Sequence, residues 1–352
     1  MTKIIQATTV FPENVYSQNQ IYDFIATLWP KQSKKLLSFF ENVQVKERHL
    51  VLPIEKYTEL ATLVQRNQLW QEHGSKLAKK AVLELFEKTG LNGSEIDYLV
   101  TTSVTGFSIP SLDTILMNEL NISTNAKRLP LFGFGCLGGC AGINRAHDFL
   151  KANPKKAAIL VGLELCSLTF QLRDVSVANF VGTSLFGDGA AAVLLVGDEH
   201  PLAKTAGFEV VDYQAFFYPK TETTMGWNIL ETGFQIVLSG DVAQLVENEV
   251  PKNSQHILDL NKLSSRDVKF VVSHPGGPKV LKALASSLGL TDEHFQHSWQ
   301  SLAANGNMSS VSVLNVLERS LTRPLGQKGE MGFLMAMGPG FNSEITLLKQ
   351  LK

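Results

Sequence analysis

The sequence is poor in cysteine, and this bounds the chemistry that it supports. Its 352 residues include only Cys136, Cys140 and Cys166. A small, odd number of cysteines in a chain without a recognisable secretory leader argues against a disulfide framework. No Cys/His pair at ligand spacing accompanies Cys136 and Cys140, so no metal site is expected. We therefore expect a reduced, cytoplasmic protein whose cysteines either pack in the core or catalyse.

Long apolar runs and an excess of charge of one sign are also absent. Charged residues make up 18% of the chain, and the formal net charge is -1 at pH 7. No stretch reaches the length of about 20 apolar residues that spans a bilayer, and no basic stripe suggests nucleic acid. Hydrophobic residues account for 44%. This balance favours a soluble globular protein with a large interior, with neither a membrane span nor a nucleic-acid partner.

What the sequence does have is a regular alternation of short apolar runs with segments of helical period. "KAAILVGLEL" and "GAAAVLLVGD" are nearly continuous in hydrophobicity, as in strands covered on both faces. "SKLAKKAVLELFEKTGL" predicts an amphipathic helix that ends at Gly90. A similar order of elements returns in the second part of the chain. The pattern predicts an α/β protein with two similar halves, residues 1–200 and 201–352.

The segment "FGFGCLGGCAG" places Cys136 where a strand gives way to a helix. Free N–H groups and the positive end of the helix dipole lie there, and they favour a thiolate over a thiol. The glycines on either side would keep the turn narrow and let a substrate carbonyl approach. Cys140 comes one helical turn later and is expected to face the interior. On its own, the segment also fits a tightly packed core helix.

Two further segments make a catalytic interpretation stronger. His274 ends a buried strand in "VVSHPGGP", the position at which open α/β sheets present groups to ligands. Asn307 lies ahead of a helix in "ANGNMSSVSV". A structural histidine and a helix N-cap are the alternative interpretations. Together with Cys136, the two residues supply a soft nucleophile, a base and an amide donor for an oxyanion.

These motifs resemble those of the type III polyketide synthases, the chalcone-synthase-like branch of the thiolase fold. The resemblance rests on "FGFGCLGGCAG", "SHPGGP", "GNMSS", "VGTSLFGDGAAAVLLVG", "TGFQIVLS" and "MGPGF". It implies an α/β thiolase fold, a duplicated five-layer α-β-α-β-α arrangement. It also implies that Cys136, His274 and Asn307 form the catalytic triad.

The resemblance extends to the substrate pocket. Phe186 and Phe234 match the two gatekeeper positions, and the other residues that match cavity positions are Thr102, Cys166, Thr169 and Ser309. The family binds CoA phosphates with basic residues of an early helix. Lys35 matches one such position, whereas Ser38 and Asn42 fall on the other two. Arg48 or Lys34 is the expected substitute.

The activity that the resemblance implies is iterative condensation of malonyl-CoA onto an acyl-CoA starter, without a resident cofactor. A homodimer is expected, with the loop from Ile109 to Leu112 reaching the partner's cavity. Small or apolar cavity residues favour a fatty acyl starter and an alkylpyrone or alkylresorcinol product. A malonyl-primed synthase of tetrahydroxynaphthalene or phloroglucinol is the alternative. A ketoacyl synthase III-like enzyme that condenses once and a non-catalytic thiolase-fold homologue also remain open.

Overall fold

The computed structural model describes every residue from Met1 to Lys352. Its strands are β1 Thr2–Val10, β2 Asn14–Ser17, β3 Glu47–Leu50, β4 Tyr98–Thr102, β5 Lys127–Leu131, β6 Ala157–Leu165, β7 Asp188–Gly197, β8 Phe208–Phe217, β9 Met225–Leu230, β10 Gly233–Leu238, β11 Val268–Ser273, β12 Met331–Gly338 and β13 Asn342–Gln350. Its α-helices are α1 Gln18–Leu28, α2 Ser33–Asn42, α3 Leu63–Thr89, α4 Leu112–Glu119, α5 Gly138–Ala152, α6 Val177–Leu185, α7 Val242–Leu260, α8 Pro278–Ser287, α9 Gln296–Asn305 and α10 Ser310–Thr322.

Strand order reveals an internal duplication. Nine strands are joined in the order β11-β12-β13-β8-β1-β7-β6-β4-β5. In one half, β4 is parallel to β6, while β6–β7 and β7–β1 are antiparallel. In the other half, β11 is parallel to β12, while β12–β13 and β13–β8 are antiparallel. The two sets therefore repeat one pairing scheme, and they meet where β1 pairs with β8 over Thr2–Ile4.

The helices form layers around these two sets of strands. Helix α3 packs on β1, β6 and β7, and helices α7 and α8 pack together on the outer side of the second set, where α7 contacts β8 and β13. Helices α5 and α10 contact each other and strands of both sets. The arrangement is the five-layer α-β-α-β-α fold predicted from the sequence. No helix is long and apolar enough to cross a membrane.

The local sequence explains why the central helices approach so closely. Every residue of β6 and β7 is buried, which accounts for their continuous hydrophobicity. A Cβ atom at Gly138 would lie 2.2 Å from Thr102 Oγ1, and one at Gly139 would lie 2.4 Å from the carbonyl oxygen of Ser310. The glycines of the cysteine segment are therefore required for helix packing, and not only for the approach of a substrate.

Candidate active site

A cavity of about 710 Å³, hereafter the main cavity, lies between the two halves and brings the three predicted catalytic residues together. Cys136, His274 and Asn307 all line it, although they are far apart in sequence. Phe186 and Ser309 line it as well. Each of the three lies at a helix start or just beyond a strand or helix, where side chains and main-chain groups are free to face a ligand.

Cys136 lies in a 3-10 turn, Gly135–Leu137, that leads directly into α5. Gly135 has φ 52°, and a Cβ atom there would lie 2.6 Å from Pro339. Only glycine tolerates both conditions, and the resulting bend turns Cys136 toward the cavity. Cys140 is 0% exposed and its Sγ lies 3.5 Å from the carbonyl oxygen of Glu344. It faces the interior, as expected.

Electrostatics in the main cavity differ from the sequence expectation for Cys136. Burial raises the pKa of the Cys136 thiol to about 12, although a hydrogen bond with Ser309 opposes this. Burial also lowers the pKa of His274 to about 4. Loss of solvation therefore outweighs the favourable field of the helix start. Burial therefore favours the uncharged form of each group.

His274 follows β11 directly and is 3% exposed. Its main-chain N–H donates to the carbonyl oxygen of Met335 at 2.9 Å. The Nδ1 atom has no hydrogen-bond partner in the protein, and no acidic side chain orients the ring. The imidazole therefore acts without the carboxylate that accompanies histidine in a serine-protease type of triad.

Asn307 is held by its main chain and oriented by its side chain. Its N–H donates to the carbonyl oxygen of Leu185 at 2.7 Å, and its carbonyl oxygen accepts from Gly187 N at 3.1 Å. The Oδ1 atom accepts from Ser309 N at 2.8 Å. This leaves the Nδ2 group as a donor for a ligand. Ser309, not Asn307, occupies the N-cap position of α10.

A second cavity, hereafter the side cavity, adjoins the main one and has a volume of about 60 Å³. Cys166 and Thr169 line the side cavity and not the main one, although Cys166 is close enough to Cys136 for its pKa to be raised by that thiol. The two cavities share Phe186, Trp227 and Ile236 as walls. The shared residues, hereafter the partition, form the wall that is common to the main cavity and the apolar side cavity.

The remaining two predicted pocket residues lie outside the linings of both cavities. Phe234 is buried with its ring 6.3 Å from the Trp227 ring and 6.4 Å from the Phe107 ring. Thr102 is buried at the end of β4, against Gly138 of the cysteine helix. They support the cavity walls and the cysteine helix from behind.

Lys35 and Arg48, the basic residues predicted to bind the CoA phosphates, differ in exposure. Lys35 is exposed on α2, with Nζ 5.8 Å from the centre of the Phe180 ring. Arg48 is 2% exposed, and its guanidinium donates to protein oxygens only. The phosphate prediction requires a cation at the surface, and Arg48 does not supply one, because it is buried and its Nη1 and Nη2 groups donate to oxygens within the protein. Its buried Nε has no hydrogen-bond partner.

Sequence reasoning missed basic residues on the opposite wall of the main cavity. Its lining includes Ser38 and Asn42 of α2 and, facing them from another element, Lys279 and Lys282 of α8. Both lysines are exposed. The signal was present in "GGPKVLKAL", where two lysines three residues apart share a face of the helix that follows the histidine.

A buried acid was also missed. Glu164 is 0% exposed and accepts hydrogen bonds from Val104 N, Thr105 Oγ1 and Ser310 Oγ. Burial raises its pKa to about 7, and its charge raises the thiol pKa of Cys136. An acidic residue inside the continuous apolar run "AAILVGLEL" was the available signal, because a carboxylate is rarely buried without a partner.

Known proteins resemble this chain along its full length. A 1,3,6,8-tetrahydroxynaphthalene synthase of Streptomyces peucetius is 40% identical over 351 residues, covering 99% of this chain and 93% of that protein. A phloroglucinol synthase of Pseudomonas fluorescens is 30% identical over 349 residues, covering 99% of both. The crystal structure of 1,3,6,8-tetrahydroxynaphthalene synthase from Streptomyces coelicolor has a TM-score of 0.94 at 29% identity, with 99% of each chain covered.

Family profiles match both halves of the chain. Residues 2–199 match the N-terminal domain of chalcone and stilbene synthases, and residues 209–352 match the C-terminal domain. Sequence, fold and the predicted motifs agree on one assignment. The chain belongs to the chalcone and stilbene synthase family and is a type III polyketide synthase.

Proposed function

We propose that Cys136, His274 and Asn307 carry out the acyl transfer and decarboxylation of this polyketide synthase. The observation that supports the proposal most strongly is their convergence on one cavity from three distant segments. Cys136 is the nucleophile, His274 the base, and the Asn307 amide a donor to developing negative charge. No resident cofactor takes part in these steps.

Loading of the starter begins with a proton transfer from Cys136 Sγ to His274. The sulfur attacks the thioester carbonyl of the starter, the bond to the CoA sulfur breaks, and the imidazolium returns the proton to that sulfur. Because burial disfavours each charged form alone, charge separation costs least when the two charges form adjacently. A thiolate formed only at attack also avoids reaction with other electrophiles.

Extension begins when malonyl-CoA enters the cavity and loses carbon dioxide. The electron pair left behind forms an enolate, whose oxygen accepts hydrogen bonds from Asn307 Nδ2 and a His274 ring N–H. The enolate carbon then attacks the acyl thioester on Cys136, and the Cys136 sulfur leaves. Phe186 in the cavity wall keeps water from the malonyl carboxylate, which favours its departure as neutral carbon dioxide.

Delivery of CoA thioesters requires cations at the mouth of the main cavity. Lys279 and Lys282 supply them in our proposal, since Ser38 and Asn42 on the facing helix are uncharged. Neither lysine forms an ion pair within the chain, unlike Lys252 nearby in sequence, which pairs with Glu249. Glu41 also lines the cavity and limits the net charge there. Lys35 adds a further cation on α2.

For the starter, we propose malonyl-CoA rather than a fatty acyl-CoA. The side cavity is about 60 Å³, space for about four water-sized groups, and Phe186 and Trp227 belong to the wall that it shares with the main cavity. A long alkyl chain has no room there. The named products of the relatives, tetrahydroxynaphthalene and phloroglucinol, carry only hydroxyl groups on their rings and no alkyl tail, so a fatty acyl starter is not needed to build them.

A fatty acyl starter remains the second candidate, because the side cavity is lined largely by apolar side chains. A short alkyl tail would fit it if the Trp227 side chain turned aside. The fatty acyl starter favoured by the sequence is therefore the alternative, and Trp227 would limit the length of its alkyl tail.

Competition between starters tests the choice. Purified enzyme is incubated with malonyl-CoA alone, and with malonyl-CoA plus octanoyl-CoA or lauroyl-CoA, and products are identified by mass spectrometry. We expect faster turnover with malonyl-CoA alone and an aromatic product without an alkyl tail. Predominant alkylpyrone or alkylresorcinol would support the alternative and leave the catalytic assignment intact. Turnover that needs an acyl carrier protein and ends after one extension would indicate a ketoacyl synthase III-like enzyme.

A homodimer is also proposed. Ile109 is 98% exposed in the loop before α4, and Phe107 of the same loop contacts the buried Phe234 ring. An almost fully exposed isoleucine beside the substrate pocket is well suited to a partner surface. Sedimentation at micromolar concentration should give a dimer, and Ile109→Asp should weaken it. A monomer of the wild-type chain under those conditions would contradict the proposal.

A further inference from the structure

Two buried arginines lie beside the substrate cavities although neither forms an ion pair with a carboxylate. Arg48 is 2% exposed and Arg66 is 4% exposed. The arginines that do form ion pairs are Arg128 and Arg145. Burial lowers the pKa of Arg48 to about 9 and that of Arg66 to about 10. Both remain cations at neutral pH, and burying such a charge is costly unless its donors are used.

Arg48 uses its donors on the C-terminal end of α6. Its Nη1 donates to the carbonyl oxygens of Thr183 at 2.7 Å and Phe186 at 2.9 Å, and its Nη2 donates to Gln18 Oε1 at 3.0 Å. The last carbonyls of a helix lack partners within the helix and carry partial negative charge. The guanidinium therefore fixes the residue at which α6 ends, and that residue is the gatekeeper Phe186.

The main chain at the end of α6 also holds Asn307 in place. The hydrogen bonds of Asn307 go to Leu185 and Gly187, one on each side of Phe186. In addition, a Cβ atom at Gly306 would lie 2.9 Å from Arg48 Cδ, so the arginine stem packs directly under the chain before Asn307. A displacement of Arg48 would therefore move the Phe186 main chain and the Asn307 amide together.

Arg66 forms an equivalent set of contacts on the other side of the pocket. Its Nε donates to the carbonyl oxygen of Thr232 at 2.8 Å and its Nη1 to that of Leu168 at 2.8 Å. Thr232 lies in the turn between β9 and β10, two residues before Phe234. Leu168 lies in the segment Cys166–Thr169 that walls the side cavity. Arg66 thus links the β9–β10 hairpin, which contains Phe234, to the wall of the side cavity.

We propose that Arg48 and Arg66 are positioning residues with separate effects, Arg48 on decarboxylation and Arg66 on the shape of the pocket. The proposal rests on the proposed function, since it assumes that Asn307 and the two phenylalanines act as described. Arginine suits both sites because its planar fork reaches several carbonyls at fixed angles, whereas lysine is a point charge that loses its proton more readily when buried.

The experiment compares Arg48→Lys and Arg66→Lys with the wild-type full-length enzyme. Carbon dioxide release from malonyl-CoA, acylation of Cys136 and the product distribution are measured separately, together with thermal unfolding. Arg48→Lys should lower the rate of carbon dioxide release by about 10- to 100-fold, as for a small misplacement of a catalytic group, while acylation changes less than about threefold. Arg66→Lys should alter the product distribution more than the rate of release. The control Arg173→Lys changes an exposed arginine and should leave all three readouts unchanged.

The proposal would be overturned if carbon dioxide release and acylation fell equally in both variants, in proportion to their lost stability. It would also be overturned if both variants matched the wild type in all three readouts. Gln18→Leu provides a milder test should Arg48→Lys fail to fold. It removes the acceptor of one Arg48 donor. We expect it, like Arg48→Lys, to slow carbon dioxide release more than acylation of Cys136, but by a smaller factor. Equal effects of Gln18→Leu on acylation and release would also overturn it. Absence of carbon dioxide release from the wild type would overturn the proposed function itself and this proposal with it.

Discussion

The main cavity and the side cavity share a wall but are built differently. The main cavity takes its three proposed catalytic residues from the ends of elements in both halves, Cys136 before α5, His274 after β11 and Asn307 before α10. The side cavity is lined by side chains that pack among α1, α6 and the segment Cys166–Thr169. In the proposed function, the chemistry therefore depends on where elements end, whereas the choice of starter depends on how side chains fill a recess.

Replacement of the cysteine in each region should give the largest contrast. Cys136→Ala should lower polyketide formation by about 10⁴-fold or more, because no other thiol lies at the strand–helix junction. Cys166→Ala in the side cavity and Cys140→Ala in the core should retain most activity. Turnover of malonyl-CoA and trapping of the acyl-enzyme by mass spectrometry provide the measurement. Comparable losses from Cys136→Ala and Cys166→Ala would erase the distinction between the cavities.

Removal of the amide donor should have the next largest effect. Asn307→Ala should slow decarboxylation by about 100- to 1000-fold, the usual cost of an oxyanion donor. Alkylation of Cys136 by iodoacetamide should change little, since Asn307 does not activate the thiol in our mechanism. Release of carbon dioxide and rate of alkylation are measured on the same preparation. Unchanged decarboxylation would show that the enolate oxygen lies elsewhere.

The pH dependence of alkylation tests whether Cys136 is a thiol or a thiolate in the free enzyme. The pKa of Cys136 is raised by burial, so the thiolate fraction below that pKa increases about tenfold per pH unit. The rate should therefore rise about 100-fold from about pH 7 to about pH 9. Cys166, whose pKa burial also raises and which is 1% exposed, should react more slowly than Cys136. A rate that stays flat across this range would instead indicate a preformed thiolate–imidazolium pair.

Opening the partition should change the starter preference. Trp227→Ala joins the side cavity to the main cavity and lets an alkyl tail enter. Each buried methylene contributes about 0.8 kcal/mol, so two additional methylenes should improve the relative use of octanoyl-CoA about tenfold. Relative kcat/KM for octanoyl-CoA and malonyl-CoA starters is the measurement. Ile54→Ala, which enlarges the side cavity without touching the partition, is the matched control and should have a smaller effect.

The smallest effect is expected at the mouth of the main cavity. Lys279→Glu combined with Lys282→Glu should raise the KM for malonyl-CoA about fivefold, because exposed charges contribute about 1 kcal/mol or less. The KM for a malonyl thioester of N-acetylcysteamine, which has no phosphates, should not change. Lys34→Glu is the comparison on α2. A larger effect of Lys34→Glu than of the α8 change would assign the phosphates to α2 instead.

Much of the fold and the reacting centre could be predicted from local patterns. The continuous apolar runs of β6 and β7, and the motif segments around Cys136, His274 and Asn307, lie within single elements or at their ends. Each motif segment alone also fits a structural role, so the catalytic prediction depended on the three motifs together and on their resemblance to a known family. The starter preference and the role of Arg48 were less accessible, because they depend on neighbours more than a hundred residues away.

The sequence by itself determined the α/β pattern and the repeated order of elements, since both follow from periodicity. The resemblance of its motifs indicated the family and, with it, the proposed nucleophile segment. Only the tertiary structure decided which side chains share a cavity. It placed Cys166 in the lining of the side cavity and Cys136 in that of the main cavity, and it buried Arg48 against the end of α6. It also raised the pKa of the Cys136 thiol. The physical reason is that burial and long-range packing set solvation, volume and hydrogen-bond partners, and these properties belong to the folded arrangement rather than to any segment of the chain.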